Sequence, residues 1–426
     1  MSTVAINMAS RARITATLNH KQPDRVPIDF GGHMCSGIHA SCVAGLRDHY
    51  GLEKRPVRIH EPYQMLGLVE DDLIDAMGID VTGIAGRNCK FGFPVGEKWK
   101  TWDFRGLEVL VPEGFNVTMN EKGDTLMYPE GDTKVPPSAV MPQGSCFFDC
   151  IVRQDPLDED KLDPEDNMEE FGAVTQEDLD HFARVTAAAR ATGLGVVASF
   201  GGTTFGNVGD VPGPMLKHPK GIRDITEWYV STSSRQDYIH KVFEWQCAIA
   251  IQNLERIYAV VGDNVDVMYL CGTDFGTQTS AFCSVKTFHN LYFPYYKQVC
   301  DWVHAHTPWK VLKHCCGAVS KFLPSFIEAG IDILNPVQCS ATGMEPEGLK
   351  ANFGDRLTFW GGGVDTQHVL PFGTPAEVRE QVLRRCEIFA PGGGFVFNSI
   401  HNVQAETPIE NIAAMIDAVH EFNGRM

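Results

Sequence analysis

At 426 residues and 43% hydrophobic composition, the chain has room for two or three average domains or for one large α/β barrel with insertions. Its formal charge of −18 argues against nucleic acid and anionic membrane surfaces as partners, and against a highly anionic substrate unless a local basic pocket compensates. No apolar run reaches signal-peptide or membrane-span length, and thirteen cysteines, an odd number, speak against a disulfide framework, so a soluble cytoplasmic protein with free thiols is expected.

Short apolar runs alternate with helical patterns along most of the chain, the signature of a parallel sheet with crossover helices. Eight candidate strands follow in order: Val26–Gly32, Ile79–Gly83, Gly195–Phe200, Val265–Leu270, Lys310–His314, Ile331–Pro336, Leu357–Gly361 and Phe395–Ser399. Eight is the count that a closed (β/α)8 TIM barrel needs, so the whole chain, 1–426, is expected to be one such barrel. Between Cys89 and Asp166 the pattern changes. Segments such as Trp102-Asp103-Phe104-Arg105-Gly106-Leu107 predict hairpins, followed by a Pro- and acid-rich surface loop. This stretch, 89–166, is expected to be a β-rich insertion after the second strand, serving as a lid or a homodimer surface.

Helix starts are marked by Thr374-Pro375-Ala376-Glu377 and Thr407-Pro408-Ile409-Glu410, each with a capping threonine, proline at the first helical position and glutamate reaching back. Thr175-Gln176-Glu177-Asp178 and Ser234-Arg235-Gln236-Asp237 are looser versions.

Catalytic residues of a β/α barrel lie just after its strands. There the chain places Gly31-Gly32-His33, Gly201-Gly202-Thr203-Thr204, Cys271-Gly272-Thr273-Asp274 with Gln278, His314-Cys315-Cys316-Gly317, Gln338, Gly361-Gly362-Gly363-Val364-Asp365 and His401-Asn402. Imidazole and thiolate are preferred zinc ligands, and residues i and i+2 of an extended strand end face the same way. His314 and Cys316 are therefore expected to share a zinc ion at the barrel mouth. His401 is the first choice for third ligand, with Cys271 or Asp274 in reserve. Asp274 and Asp365 would act as acid or base, or cap neighbouring helices. Gln338 and Gln278 would contact a substrate or brace a loop, and His33 would line the pocket from the opposite side. No phosphate loop, dinucleotide fingerprint or nucleophile elbow is present.

Taken together, these strand-end residues resemble the uroporphyrinogen decarboxylase superfamily. The likeness begins at Ala16-Thr17-Leu18-Asn19-His20-Lys21-Gln22-Pro23-Asp24-Arg25-Val26-Pro27 and is strongest from Asp274 to Asn411, above all in Gly361–Gln367 and His401–Asn411. The resemblance implies a β/α barrel and one of two chemistries. The decarboxylases need an arginine-rich segment after the first strand, where this chain has Phe30-Gly31-Gly32-His33-Met34-Cys35-Ser36-Gly37. The corrinoid-dependent methyltransferases carry a His-x-Cys zinc motif with a distant cysteine. His314 and Cys316 match its first two positions, and His401 stands where the distant cysteine is expected. The resemblance thus implies a zinc-dependent methyltransferase acting on a small methyl donor or acceptor, with methylcobalamin or another corrinoid held by a separate partner protein. Two imidazoles and one thiolate would leave zinc a net charge near +1, which favours an O- or N-methyl group over a thiol such as coenzyme M. The alternative is a metal-independent decarboxylase of a porphyrinogen-like or other carboxylated substrate, using Asp274 or Asp365.

Overall fold

In the computed structural model, which describes residues 8–203 and 205–426, seven strands form one all-parallel sheet. They are Val81–Ala85, Gly195–Ser199, Val267–Cys271, Lys310–His314, Ile333–Asn335, Thr358–Trp360 and Phe395–Val396, each paired with the next. Thr204, quoted above after the third predicted strand, lies outside the described residues.

The first predicted strand, Val26–Gly32, is reduced to a single bridge, yet it closes the ring. Ile28 pairs in parallel with Phe397, Asp29 N donates to Phe397 O at 2.9 Å, and Asp80 N donates to Ile28 O at 2.8 Å. The segment is thus bonded to both edges of the seven-stranded sheet, giving the TIM-barrel-like ring that the strand count implies. Its extended run is cut short because Gly31 takes a left-handed conformation and its N–H turns back to Ser36 O.

Asp80, fully buried, fixes this closure. It accepts from Arg13 Nη1 at 2.6 Å, Arg25 Nη1 at 2.8 Å and Ile28 N at 3.0 Å, tying the amino-terminal helix Ser10–Leu18 and the Ile28 segment to the foot of the barrel. Strands such as Val267–Cys271 are buried along their whole length, as expected when helices cover their outer face. The crossover helices include Gln176–Ala191, Gln236–Val261, Phe293–His306, Pro375–Phe389 and Ile409–Asn423. Among the described residues no helix is long and apolar enough to cross a membrane.

The capping expectations divide. Thr374 with Glu377 and Thr175 with Asp178 form reciprocal capping boxes. Thr407 does not cap: its hydroxyl donates to Gln404 O, and the helix begins at Ile409. Ser234 ends the helix Ile225–Ser234 and donates back to Val230 O, so it starts nothing.

Between Cys89 and Asp166 lie a hairpin, Trp99–Phe104 with Leu107–Pro112, and a four-stranded antiparallel sheet running from Val117–Met119 to Asp149–Cys150. The hairpin turns on Arg105 and Gly106, both at positive φ, the geometry of a two-residue turn that matches strand twist. Its Leu107–Pro112 strand continues in parallel onto Val57–Glu61, an element absent from the eight predicted strands. The acid-rich stretch that follows is not wholly surface loop. Asn167 is buried, and Glu170 Oε1 accepts from the fully buried Arg223 at 2.8 Å.

Candidate metal centre and active site

His314 ends its strand with the side chain inside the barrel mouth, 5% exposed. Its Nδ1 lies 2.8 Å from Asn335 Oδ1. The other end of that amide is fixed, because Asn335 Nδ2 donates to Trp360 O at 3.1 Å. Nδ1 of His314 therefore carries the proton, and the Nε2 lone pair is left free. Cys316 Sγ lies 3.4 Å from that Nε2. Two ligand atoms on one tetrahedral zinc, at about 2.0–2.1 Å for nitrogen and 2.3 Å for sulfur, stand about 3.5 Å apart, so the pair is spaced for one ion. The intervening Cys315 points the other way, its sulfur accepting from Phe275 N at 3.3 Å.

The turn after this pair is held from two sides. Cys316 N donates to Asp274 Oδ1 at 2.7 Å and Gly317 N donates to Gln338 Oε1 at 2.7 Å. Glycine is required at 317, where φ is 91° and a Cβ would lie 2.3 Å from Gly276 O. Asp274, His314 and Cys316 each place one ligand atom within 4.8 Å of the others. A second group with the same spacing joins His314 to His401 and Cys35. The rings of His314 and His401 meet edge to face, centroids 5.2 Å apart.

Burial sets the charge states here. Removal from water pushes His314 and His401 down to about 4 and His33 well below its ordinary value, so all three are neutral imidazoles at pH 7. Burial also raises Asp274, and raises the Cys316 thiol well above its usual range, with the neighbouring Asp274 adding to the effect. A divalent cation reverses this balance by stabilising the thiolate.

The other predicted residues are placed as follows. His33 is buried, its ring 4.1 Å from that of Tyr269, and its Nε2 has no hydrogen-bond partner among the described residues. Gln338 Nε2 donates to Gln278 Oε1, and Gln278 Nε2 to Ser340 O, so both amides brace strand-end loops. Asp365 Oδ1 accepts from Gln367 N and His368 N, capping a turn, and belongs to neither ligand group. Cys271 lies behind the strands, its sulfur beside Lys313 Nζ and Tyr296. Cys35 and Asn335 are not among the predicted site residues, and Asn402 is predicted only as the strand-end neighbour of His401. A signal for the first was available: His33-Met34-Cys35 repeats, after the first strand, the His-x-Cys spacing of His314-Cys315-Cys316.

Comparison with known proteins agrees with this frame. The uroporphyrinogen decarboxylase (URO-D) family profile matches residues 219–422, which bears out the resemblance to that superfamily over the stretch, just under half of the chain, that carries His314, Cys316 and His401. Curated relatives include uroporphyrinogen decarboxylases from Psychromonas ingrahamii, 32% identical over 89 residues, and Herminiimonas arsenicoxydans, 35% identical over 77 residues. The matched segments span 20% and 17% of this chain, and only 24% and 21% of those proteins. Among solved structures, a methyltransferase from Methanosarcina mazei aligns over 97% of this chain and 99% of its own with a TM-score of 0.55. At 14% identity that likeness shows the shared fold.

Proposed function

We propose that the protein is a zinc-dependent methyltransferase that moves a methyl group between a small O- or N-methylated substrate and the corrinoid of a separate partner protein. The observation that carries this reading is the His314 Nε2–Cys316 Sγ separation of 3.4 Å, with the imidazole tautomer fixed by Asn335. Zinc bound there would supply Lewis acidity to the atom that gives up or takes the methyl group. His314 and Cys316 would hold it; the groups within reach of a third position are the Asp274 carboxylate, which lies near both, and Cys35 and His401, which lie near His314.

The polar groups at the mouth bear on the substrate. His401 Nδ1 accepts from Asn402 N at 2.8 Å, so its neutral ring carries a proton on Nε2. That N–H would donate to an ether or phenolate oxygen, and sulfur is a weak acceptor by comparison. Asp274, with Oδ1 held by Cys316 N, offers a carboxylate oxygen to an ammonium or hydroxyl. The fold shared with the Methanosarcina methyltransferase supports the assignment by analogy.

The names of the curated relatives support the second reading, a decarboxylase. The Phe30–Gly37 segment, which holds no arginine, weighs against it for a porphyrinogen carrying many carboxylates.

The test is spectrophotometric. Zinc-loaded protein is mixed with cob(I)alamin and a panel of methoxylated aromatics and methylamines, and formation of the methyl–cobalt product is followed. Methyl transfer that disappears on chelation is expected. Transfer by chelated protein at the same rate would contradict the zinc role, and none with any donor would contradict the reaction.

A further inference from the structure

We infer that His33 is a substrate-binding residue of the barrel mouth: its Nε2–H, together with that of His401, donates to the oxygen that loses the methyl group, so the methyl donor is a methyl ether and not a methylammonium. The inference rests on the methyl-transfer reading above and adds to it a donor pair and a substrate class.

Three observations converge on His33. Its ring is buried, 5% exposed, and its Nε2 has no hydrogen-bond partner among the described residues. Buried polar atoms are nearly always partnered, so one left open beside a candidate site marks a place for a ligand atom. The nature of that atom follows from the other ring nitrogen. Nδ1 accepts from Cys35 N at 3.1 Å, which puts the proton on Nε2. The open atom is therefore a donor, and whatever meets it must carry a lone pair. The ring is also held in place. Tyr269 packs against it with centroids 4.1 Å apart, and Ser36 N donates to His33 O. Asn402 then clamps the loop to the end of the last strand: its Oδ1 accepts from Gly37 N at 2.6 Å and its Nδ2 donates to Met34 O at 2.9 Å.

His401 repeats the device from the other side of this clamp. Its Nδ1 accepts from Asn402 N, leaving Nε2 protonated. Asn402 thus sets the His401 tautomer with its backbone and braces the His33 loop with its side chain. Both rings lie beside the metal pair. His401 meets His314 edge to face, and burial, with the nearness of His314 and His401 after it, depresses the basicity of His33.

Two N–H donors select by lone pair and by charge. An ether oxygen carries lone pairs before and after the methyl group leaves. When the methyl–oxygen bond breaks, its electron pair stays on the oxygen as phenolate or alkoxide, and the methyl carbon takes the electron pair offered by the corrinoid. Hydrogen bonds to the charged oxygen are roughly twice as strong as those to the ether, so the pair favours the broken bond. The nitrogen of a methylammonium has no lone pair and is positive, and the positive ends of two N–H dipoles repel it.

Metal-free protein and para-nitrophenol, whose anion is coloured, give a test that does not involve zinc. The wild-type chain is expected to bind the anion and lower the apparent pKa of the phenol, and tetramethylammonium is expected not to displace it. His33→Phe keeps a ring against Tyr269 but offers no donor. It is expected to bind the anion at least about 10-fold more weakly, as for a lost hydrogen bond to a charge. Its kcat/KM with methyl ethers is expected to fall about 100–1000-fold, with the metal retained. His33→Gln, which keeps an N–H, is expected to restore much of both. Proton NMR of the wild-type chain carrying isotope-labelled histidine needs no substitution: two imidazole N–H signals are expected to move downfield when the anion binds. Absence of anion binding, equal affinity in wild-type and His33→Phe, unmoved imidazole signals, or displacement by tetramethylammonium would overturn the inference and leave the zinc reading. Anion binding by a chain that takes up no zinc would overturn the zinc reading and leave the donor pair.

Discussion

The Oδ1 of Asn335 stands 2.8 Å from Nδ1 of His314, and this one contact determines which face of the imidazole is available to a metal. Among the described residues the Asn335 side chain bonds only His314 and Trp360 O, so its effect on the metal pair is exerted through His314. Replacing it with alanine removes no ligand but frees the ring and its tautomer. Asn335→Ala is expected to weaken zinc binding by about 10–100-fold, the range for groups that orient a ligand. A competition titration against a chromophoric chelator measures this, and an unchanged affinity would show that the contact orients nothing.

Asp80 offers a contrasting prediction about the fold. It carries two guanidinium partners and the backbone of the Ile28 segment at a fully buried position. Asp80→Ala leaves the 3%-exposed Arg13 with Asp24 as its one carboxylate partner among the described residues, and removing one partner of a buried pair costs about 3–5 kcal/mol. Urea unfolding should show this loss. Because the site lies at the other end of the strands, the fraction that stays folded should bind zinc with unchanged stoichiometry.

Buried histidines predict the acid limit of the metal-free protein. His39, His314 and His401 are all held down to about 4 by burial, against an ordinary value of 6.5. Between those values the unfolded chain binds more protons than the folded one. The neutral-histidine contribution is therefore complete above about pH 6.5 and is lost as pH falls toward 4, by up to about 1.4 kcal/mol per pH unit for each group. The urea midpoint of the apoprotein should drop across this window. A midpoint that stays level from pH 7 to pH 5 would contradict the burial of these rings.

The missing arginines predict a substrate exclusion. The purified protein should form no coproporphyrinogen from uroporphyrinogen, since residues 30–37 offer no guanidinium to its carboxylates. Product above the spontaneous rate, detected by chromatography after oxidation, would restore the decarboxylase reading.

Much of this was legible in the sequence because barrel strands buried on both faces announce themselves as apolar runs, and their polar ends mark the mouth. His314 and Cys316 could be paired from i, i+2 geometry alone. Cys35 could not be weighed equally, since what brings it to His314 is the closure of the ring by Ile28 and the Asn402 clamp, two long-range contacts with no local signature. The Val57–Glu61 strand was missed for another reason. It pairs with Leu66–Gly67 close by as well as with Val109 and Leu110 far along the chain, but it is short and its apolar alternation ends in the buried, charged Glu61. Thr407 shows the limit of motif reading: its neighbour Glu406 takes a positive φ, and the hydroxyl bonds Gln404 O instead of the helix.

The central claim is that His314 and Cys316 together hold a catalytic zinc. It is tested most directly by elemental analysis of metal-replete wild-type protein beside His314→Ala and Cys316→Ala, each shown to be folded by circular dichroism. About one zinc per chain is expected in the wild-type protein, with loss of the metal in both variants. Full zinc occupancy in both variants would contradict the account.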